Sequence, residues 1–146
     1  MSFSNNINKF CAKSNNTIST VVRKIVIDMG TALILRTPVG NPTLWNSAAP
    51  ANYVGGAARA NWQYSVSAMR QGILPDTDAS GQNTITALVN GVSGTKAESV
   101  HWISNNLPYI QRLENGWSYK QAPQGMLRLT VLEFKETVES AAKSLR

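Results

Sequence analysis

Few side chains in this sequence could carry out chemistry, and they are scattered along the chain. His101 is the only histidine and Cys11 the only cysteine, so a Ser–His–Asp or Cys–His arrangement would have to use them. They lie ninety residues apart, and together they supply only half of a tetrahedral zinc site. We therefore expect no catalytic residue and no metal site, and we predict that the protein is not an enzyme.

Two short motifs resemble ligand-binding segments without fulfilling their requirements. Asp76 and Asp78 could ligate a divalent cation, but the Pro, Ser and Gly around them are typical of an ordinary solvated turn. Residues 91–96, GVSGTK, suggest a phosphate-binding loop. That loop requires four residues between its glycines and a Gly-Lys pair followed by Ser or Thr, so order and spacing both fail. We expect no cofactor.

The segment 102–130 is rich in aromatic and conformationally stiff residues and contains neither His nor Cys. Five of its aromatic and basic residues fall within twelve positions: Tyr109, Arg112, Trp117, Tyr119 and Lys120. Trp, Tyr and Arg contribute strongly to binding when they are buried at a contact, and Pro and Gly restrict the loops that carry them. The block 107–124 is therefore a candidate subunit interface, although Trp117 and Tyr109 could equally close the core.

A second candidate interface lies in the segment 39–58, which is rich in turn-forming residues. Loops longer than about 12–15 residues in a compact domain are usually functional or mobile. Trp45 and Tyr53 are the isolated aromatics of this segment. Trp45 either packs onto its own domain or docks into a neighbouring subunit, and both residues are predicted as interface candidates.

Residues 105–131, NNLPYIQRLENGWSYKQAPQGMLRLTV, resemble a block found in the minor tail component or neck (tail-completion) protein family of long-tailed bacteriophages. The segments 21–25 (VVRKI), 36–39 (RTPV) and 58–63 (ARANWQ) follow the order and approximate spacing of that family. The resemblance thus touches both ends and the middle of the chain. It implies a structural virion protein without catalytic activity.

The resemblance also implies partners. Identical subunits would form a ring at the neck that joins the head connector or head-closure protein to the tail terminator or tail tube protein. Genomic DNA would pass through the channel without sequence-specific binding, and no membrane would be involved. The protein would belong to the virion and reside in the host cytoplasm during assembly. A tail terminator ring is the alternative within this class.

A ring built by rotation requires two different surfaces on each subunit. We predict that the loop 39–58 and the block 107–124 supply them. The charged fraction of 15% is below the roughly 25% of typical soluble domains, which favours extensive contacts with partner subunits.

A nucleic-acid-binding accessory protein is the second hypothesis. The net charge is +6, and aromatics beside cations fit a platform on which the bases of single strands stack. However, Arg23 and Lys24 are the only adjacent basic pair, Glu114 lies inside the aromatic block, and no recognised motif such as an RNP sequence is present. A small hydrolase that uses His101 is a distant third.

The pattern of apolar residues predicts one α+β domain, residues 1–146, with a small, mostly antiparallel sheet packed with an N-terminal and a C-terminal helix, and long loops. Helical periodicity runs from Thr17 to Arg36, after possible capping residues at 14–17 and before Pro38. The sequence also predicts strands within 59–69 and 99–104 and short helices at 84–92 and 108–113. The segment from 127 fits a strand entering a helix or one long helix, with helix favoured over 130–144.

Overall fold

The computed structural model describes residues 2–144. Over these residues the fold contains helices and a two-stranded antiparallel sheet, so the predicted α+β class is confirmed. In chain order the elements are α1 Phe3–Arg36, α2 Ala57–Ala60, β1 Gln63–Val66, α3 Gln82–Val92, β2 His101–Ser104, α4 Ile110–Glu114, α5 Leu127–Leu132 and α6 Phe134–Ser144, with a 3₁₀ turn at Pro42–Leu44. Helix α1 is the centre of this arrangement, because α3, α5 and α6 all pack against it.

Helix α1 begins fourteen residues earlier than the sequence predicts, at Phe3 instead of Thr17. Ser2 caps it by accepting a hydrogen bond from the backbone N–H of Asn5. The polar run at 14–17 lies inside the helix, where the Thr17 hydroxyl donates to a carbonyl one turn earlier. No Gly or Pro interrupts residues 2–18, so helix propagation is not blocked there. The predicted end before Pro38 is confirmed.

The sheet is shorter than the sequence predicts. Strand β1 pairs with β2 in an antiparallel register from Gln63 opposite Ser104 to Val66 opposite His101. Residues 57–60 form a helical turn after Gly56, which has a φ of 109°, a left-handed value that favours glycine. Ser67, with a φ of 69°, ends the strand. The strand that the alternating pattern over 59–69 predicts is therefore longer than β1 at both ends.

Two groups of buried apolar residues form the core. Ile34 of α1 packs with Leu88 and Val92 of α3, and Leu33 packs with Ala122 and Met126. Trp62 and Ile103 contact both groups and join them into one core. Helix α3 was predicted at 84–92 and begins two residues earlier.

Asp78 belongs to the cap of α3, and the prediction that it lies in a solvated turn is wrong. The residue is buried, and its carboxylate accepts hydrogen bonds from the Gly81 N–H and from the N–H and hydroxyl of Thr84. Burial raises the pKa of this carboxyl, but these hydrogen bonds outweigh burial and hold the pKa below its usual value. Its oxygens are thus occupied in starting a helix.

The carbonyls at the end of α1 are satisfied by side chains from distant parts of the chain. The guanidinium of Arg59 donates to the carbonyls of Leu35 and Thr37 and also to that of Ala79. The Thr37 hydroxyl donates to Leu33 and accepts from the indole N–H of Trp62. The last turn of α1 is thereby tied to α2, β1 and the turn before α3.

The carboxyl-terminal region resolves the choice between strand and helix in favour of helix. Helix α5 ends at Leu132 and α6 starts at Phe134, with only Glu133 between them. The short helix predicted at 108–113 begins two residues later and ends one residue later, at Ile110–Glu114. Gly116, with a φ of 85°, follows its end.

Replacing Arg59 should destabilise the fold. We expect Arg59→Met to lower the free energy of unfolding by about 2–3 kcal/mol, because three carbonyls lose a charged hydrogen-bond donor. Urea denaturation followed by circular dichroism measures this change. The matched variant Arg70→Met, at an exposed side chain, should change stability by no more than about 0.5 kcal/mol. Equal effects of the two variants would contradict this role of Arg59.

Candidate interaction surface

The candidate interface residues predicted from the sequence all lie on the protein surface. We call this set the aromatic surface: Trp45, Tyr53, Tyr109, Arg112, Trp117, Tyr119 and Lys120. Trp117 and Tyr119 are each 69% exposed. Neither Trp117 nor Tyr109 closes the core, so the alternative that left them inside the domain is wrong.

The structure brings the two predicted loops together. Gln121 of the second loop forms two hydrogen bonds with the backbone of Val39, accepting from its N–H and donating to its carbonyl, at 3.0 and 2.9 Å. Burial raises the pKa of the Tyr109 phenol, and the charge of Tyr53 raises it further. Gln121 therefore holds the loop 39–58 and the block 107–124 side by side, although the sequence analysis assigned them to two separate ring contacts.

Trp45 packs within its own loop. Its ring meets that of Tyr53 edge-on, with centroids 4.8 Å apart and an angle of 64° between the planes. Both rings are still 38% exposed. An aromatic pair of this geometry stabilises the loop while leaving part of each ring available for contact.

The loop 115–125 is closed at its base by the carboxylate of Glu114. This carboxylate accepts hydrogen bonds from the N–H groups of Met126, Leu127 and Arg128, at 2.8 to 2.9 Å. These are the free N–H groups at the start of α5, so Glu114 caps a helix that begins thirteen residues after it. Burial raises the pKa of Glu114, but the three N–H groups and the charge of Arg128 lower it below its usual value.

A glycine at the base of this loop makes the closure possible. Gly125 has a φ of 82°, and a Cβ at this position would lie 2.4 Å from the backbone carbonyl oxygen of Glu114 and 2.7 Å from a carboxylate oxygen of the same residue. Any other residue would therefore be strained and would disturb the contact between Glu114 and the start of α5.

Two cations lie against the exposed rings of this loop. The Arg112 guanidinium is 5.3 Å from the centre of the Trp117 ring, and the Lys120 ammonium is 5.7 Å from that of Tyr119. Cation–π contacts of this kind restrict long side chains that would otherwise be mobile. Because fewer rotamers are left to freeze, contact with a partner costs less entropy.

His101 lies on β2 and contacts Tyr64 of β1. The Tyr64 hydroxyl is 2.7 Å from Nδ1 of the histidine, while Nε2 is buried and has no hydrogen-bond partner among the described residues. Burial lowers the pKa of His101. A catalytic triad requires a carboxylate that orients the histidine and a nucleophile beside it, and no hydrogen bond in residues 2–144 links His101 to either. Cys11 lies exposed on α1.

The shallow hollow beside the end of α1 offers no free cation to an anionic ligand. Arg36 and Arg59 line it together with residues 121–125. Arg59 is bound to carbonyls, and Arg36 donates to the Thr130 hydroxyl and to the Glu133 carboxylate. Within residues 2–144 no group of three or more His, Cys, Asp or Glu side chains is placed to hold a metal ion. In the same range, no helix is both long and apolar enough to cross a membrane.

Sequence reasoning found the exposed residues of the site but missed the two that position them. Glu114 was treated as an acidic interruption of a basic block, and Gln121 was not considered. Sequence patterns for helix caps consider only residues within about four positions of a helix start. Glu114 lies thirteen residues before α5, so no such pattern identifies it as a cap. Nothing in the sequence pattern links Gln121 to Val39, which are 82 residues apart.

The cap made by Glu114 should be measurable. We expect Glu114→Gln to lower the free energy of unfolding by about 1–2 kcal/mol, because the N–H groups of α5 lose an ionised acceptor. The pKa of Glu114 is lower in the folded state than in the unfolded chain, where it is about 4.3. Its contribution to the free energy of unfolding is therefore present above that pH and is lost as the pH falls through the folded-state pKa. Urea denaturation at pH 7 and pH 3 tests both statements. Glu139→Gln, on the exposed surface of α6, is the matched control and should have little effect.

The burial of His101 should make stability depend on pH near neutrality. Because the folded-state pKa is lowered, the unfolded chain binds more protons than the folded chain below about pH 6.5. We expect the free energy of unfolding to fall as the pH is lowered from 7.5 to 5.5, as measured by urea denaturation at intervals across that range. His101→Gln should remove this pH dependence, whereas Tyr64→Phe should retain it. An equal slope in wild type and His101→Gln would contradict the assignment.

Comparison with models of protein families, with curated proteins and with solved structures gives no match.

Proposed function

We propose that the protein is a structural virion component of a tailed bacteriophage, whose subunits form a ring at the neck and join the head connector to the tail. The observation that carries this proposal is the aromatic surface, in which Gln121 holds two exposed loops that are distant in sequence side by side. The resemblance of residues 105–131 to phage neck proteins supplies the identity of the assembly. A tail terminator ring would use the same surface, and the two kinds of ring differ in the partner that they meet.

The properties of the aromatic surface favour protein contact over catalysis. Its loops are held by Glu114, by Gln121 and by the Trp45–Tyr53 pair. A surface that is rigid before binding loses little entropy on association. Exposed Trp, Tyr and Arg are the residue types that contribute most at protein interfaces, often more than about 2 kcal/mol each.

The two loops serve one contact in this proposal. Since Gln121 holds them side by side, they are suited to dock onto one neighbouring component: the head connector or head-closure protein on one side, or the tail terminator or tail tube protein on the other. The contact between subunits of the ring then requires a different part of the molecule. Genomic DNA passes through the ring without being read.

A single-stranded nucleic-acid platform is less well supported by the same residues. Base stacking requires open ring faces, but Arg112 and Lys120 already lie over the rings of Trp117 and Tyr119. Nucleic-acid affinity also falls steeply with salt, whereas a contact dominated by buried aromatics is much less sensitive. Binding of labelled oligonucleotides at two salt concentrations separates these functions.

Removal of the most exposed tryptophan tests the proposed function. We expect Trp117→Ala to leave the free energy of unfolding within about 0.5 kcal/mol of wild type, because the side chain is 69% exposed. The same variant should reduce the yield of joined, infectious particles by at least about tenfold if Trp117 is a central interface residue. Complementation of a phage that lacks this gene, followed by electron microscopy, measures joining.

The control is Trp102→Ala, which removes a tryptophan that lies on β2, outside the aromatic surface. Once its own stability loss is taken into account, particle yield should be close to wild type. Normal yield with folded Trp117→Ala, or absence of the wild-type protein from purified virions, would end the proposal.

A further inference from the structure

One side of the first part of α1 carries only uncharged polar and basic side chains, which recur at helical spacing. We call this set the polar strip: Lys9, Lys13, Asn16, Thr17, Thr20 and Lys24. From its first to its last residue the strip extends for about 22 Å at 1.5 Å per residue. All of its side chains except that of Lys24 are exposed, and those of residues 13, 16, 17 and 20 border one shallow hollow on the helix.

The sequence around the polar strip contains no acidic residue. The first acid of the chain is Asp28, whereas Lys9, Lys13, Arg23 and Lys24 precede it. Exposed helices usually carry both signs of charge, as α6 does with two lysines and two glutamates. The uniform sign of the charges on the first part of α1 is therefore a local feature of this helix.

The contacts of the strip leave it positively charged. Lys24 forms an ion pair with Asp28 at 3.0 Å, so these two charges offset each other. Arg23 lies at the edge of the strip, and its Nε donates to the backbone carbonyl of Thr95. A carbonyl bears no formal charge, so Arg23 stays cationic, as does Lys13.

The other elements near α1 do not reverse this charge. The loop 93–99 contacts α1 beside the strip, and its Lys96 and Glu98 have opposite charges. Arg36, which binds residues at the junction of α5 and α6, lies nearly opposite Thr20 around the helix by its spacing. The glutamates of α6 are therefore on another side of the molecule.

The side chains of the strip are of the types that contact phosphate groups. Lys, Arg, Ser, Thr and Asn provide most side-chain contacts to the DNA backbone. The hydroxyls of Thr17 and Thr20 donate to carbonyls one turn earlier. The Lys13 ammonium and the Asn16 amide are therefore the groups at the hollow that are suited to donate to a phosphate oxygen.

Duplex DNA fits the polar strip better than a single strand or a lipid surface does. Sites for single strands use aromatic side chains on which bases stack, and a helix that lies on a membrane buries apolar residues in it. The strip contains neither kind of residue. Duplex DNA presents one phosphate charge for about every 1.7 Å of its length, so a straight cationic helix meets many phosphates without contacting a base.

We propose that the polar strip contacts the phosphate backbone of duplex DNA without reading its sequence. The DNA contact stands on the composition, exposure and charge of the strip. Its location rests on the proposed function: in a ring at the neck, α1 lines the channel and the strip faces the genome.

A matched pair of lysine substitutions tests the contact. Lys13→Gln lies on the strip and Lys135→Gln on α6; both side chains are exposed, and both changes remove one positive charge. We expect the full chain to bind labelled duplex DNA at low salt. Lys13→Gln should reduce the slope of log affinity against log salt concentration by about one, equally for duplexes of different sequence. Lys135→Gln should change the slope much less.

Equal slopes for the two lysine variants, or no binding of duplex DNA by the wild-type chain at low salt, would overturn the proposal. Trp117→Ala should leave duplex binding unchanged, because the aromatic surface is not part of the strip. Vesicles of anionic phospholipid are the second probe. Binding to them as tight as binding to the duplex, and weakened equally by Lys13→Gln, would contradict the assignment to DNA.

Photo-cross-linking locates the DNA on the helix. Cys11 is the only thiol of the chain and is exposed, and it lies opposite Thr20 because nine residues make about two and a half helical turns. An aryl azide attached to the thiol of the double variant Cys11→Ser, Thr20→Cys should cross-link to duplex DNA. The same reagent on Cys11 of the wild-type chain should give much less product. Equal yields from the two positions would contradict a contact through the strip.

Failure of the DNA contact and failure of the neck function give different results. If the protein is found in virions but the two lysine variants bind duplex DNA alike, the contact is wrong and the neck function stands. If the cross-link forms at position 20 but the protein is absent from virions, the contact stands and the neck function is wrong.

Discussion

The free carbonyls at the end of α1 are the point on which the rest of the fold depends. A helix end buried in a core must find donors for these groups. Thr37 at the helix end donates to the carbonyls of Leu33 and Ile34, and Arg59, from farther along the chain, donates to those of Leu35 and Thr37. Thr37 also connects this turn to Trp62. Both core clusters include residues of this last part of α1. The hydrogen bonds to its free carbonyls and the packing of the core therefore depend on each other.

A second polar interaction sets the shape of the exposed surface. The Glu114 carboxylate accepts hydrogen bonds from the N–H groups at the start of α5. These hydrogen bonds hold the two ends of the segment 115–125 together, so the segment forms a closed loop. Ala122 of that loop turns into the core, where it packs with Leu33 and Met126, whereas Trp117 and Tyr119 remain exposed. This exposure is the reason for assigning the two aromatic residues to a contact.

The aromatic residues lie on loops that side chains tie to the domain. Gln121 joins the two loops, and Glu114 joins the end of α4 to the start of α5. A loop that is tied before binding loses less entropy on docking, which is consistent with the proposed place at a junction.

The sequence by itself predicted the α+β class from local periodicity and the end of α1 from the backbone restrictions of Pro38. It also identified five of the exposed aromatics, because their composition is unusual over a short segment, but not Phe3, Phe10, Trp102 and Phe134. For residues 130–144 the periodicity left strand and helix open. Only the tertiary structure decided that Asp78 and Glu114 cap helices and that Gln121 holds the two aromatic loops side by side. Those features depend on pairs such as Val39 and Gln121, whose contact is set by the packing of the whole chain and leaves no periodic signal in either segment.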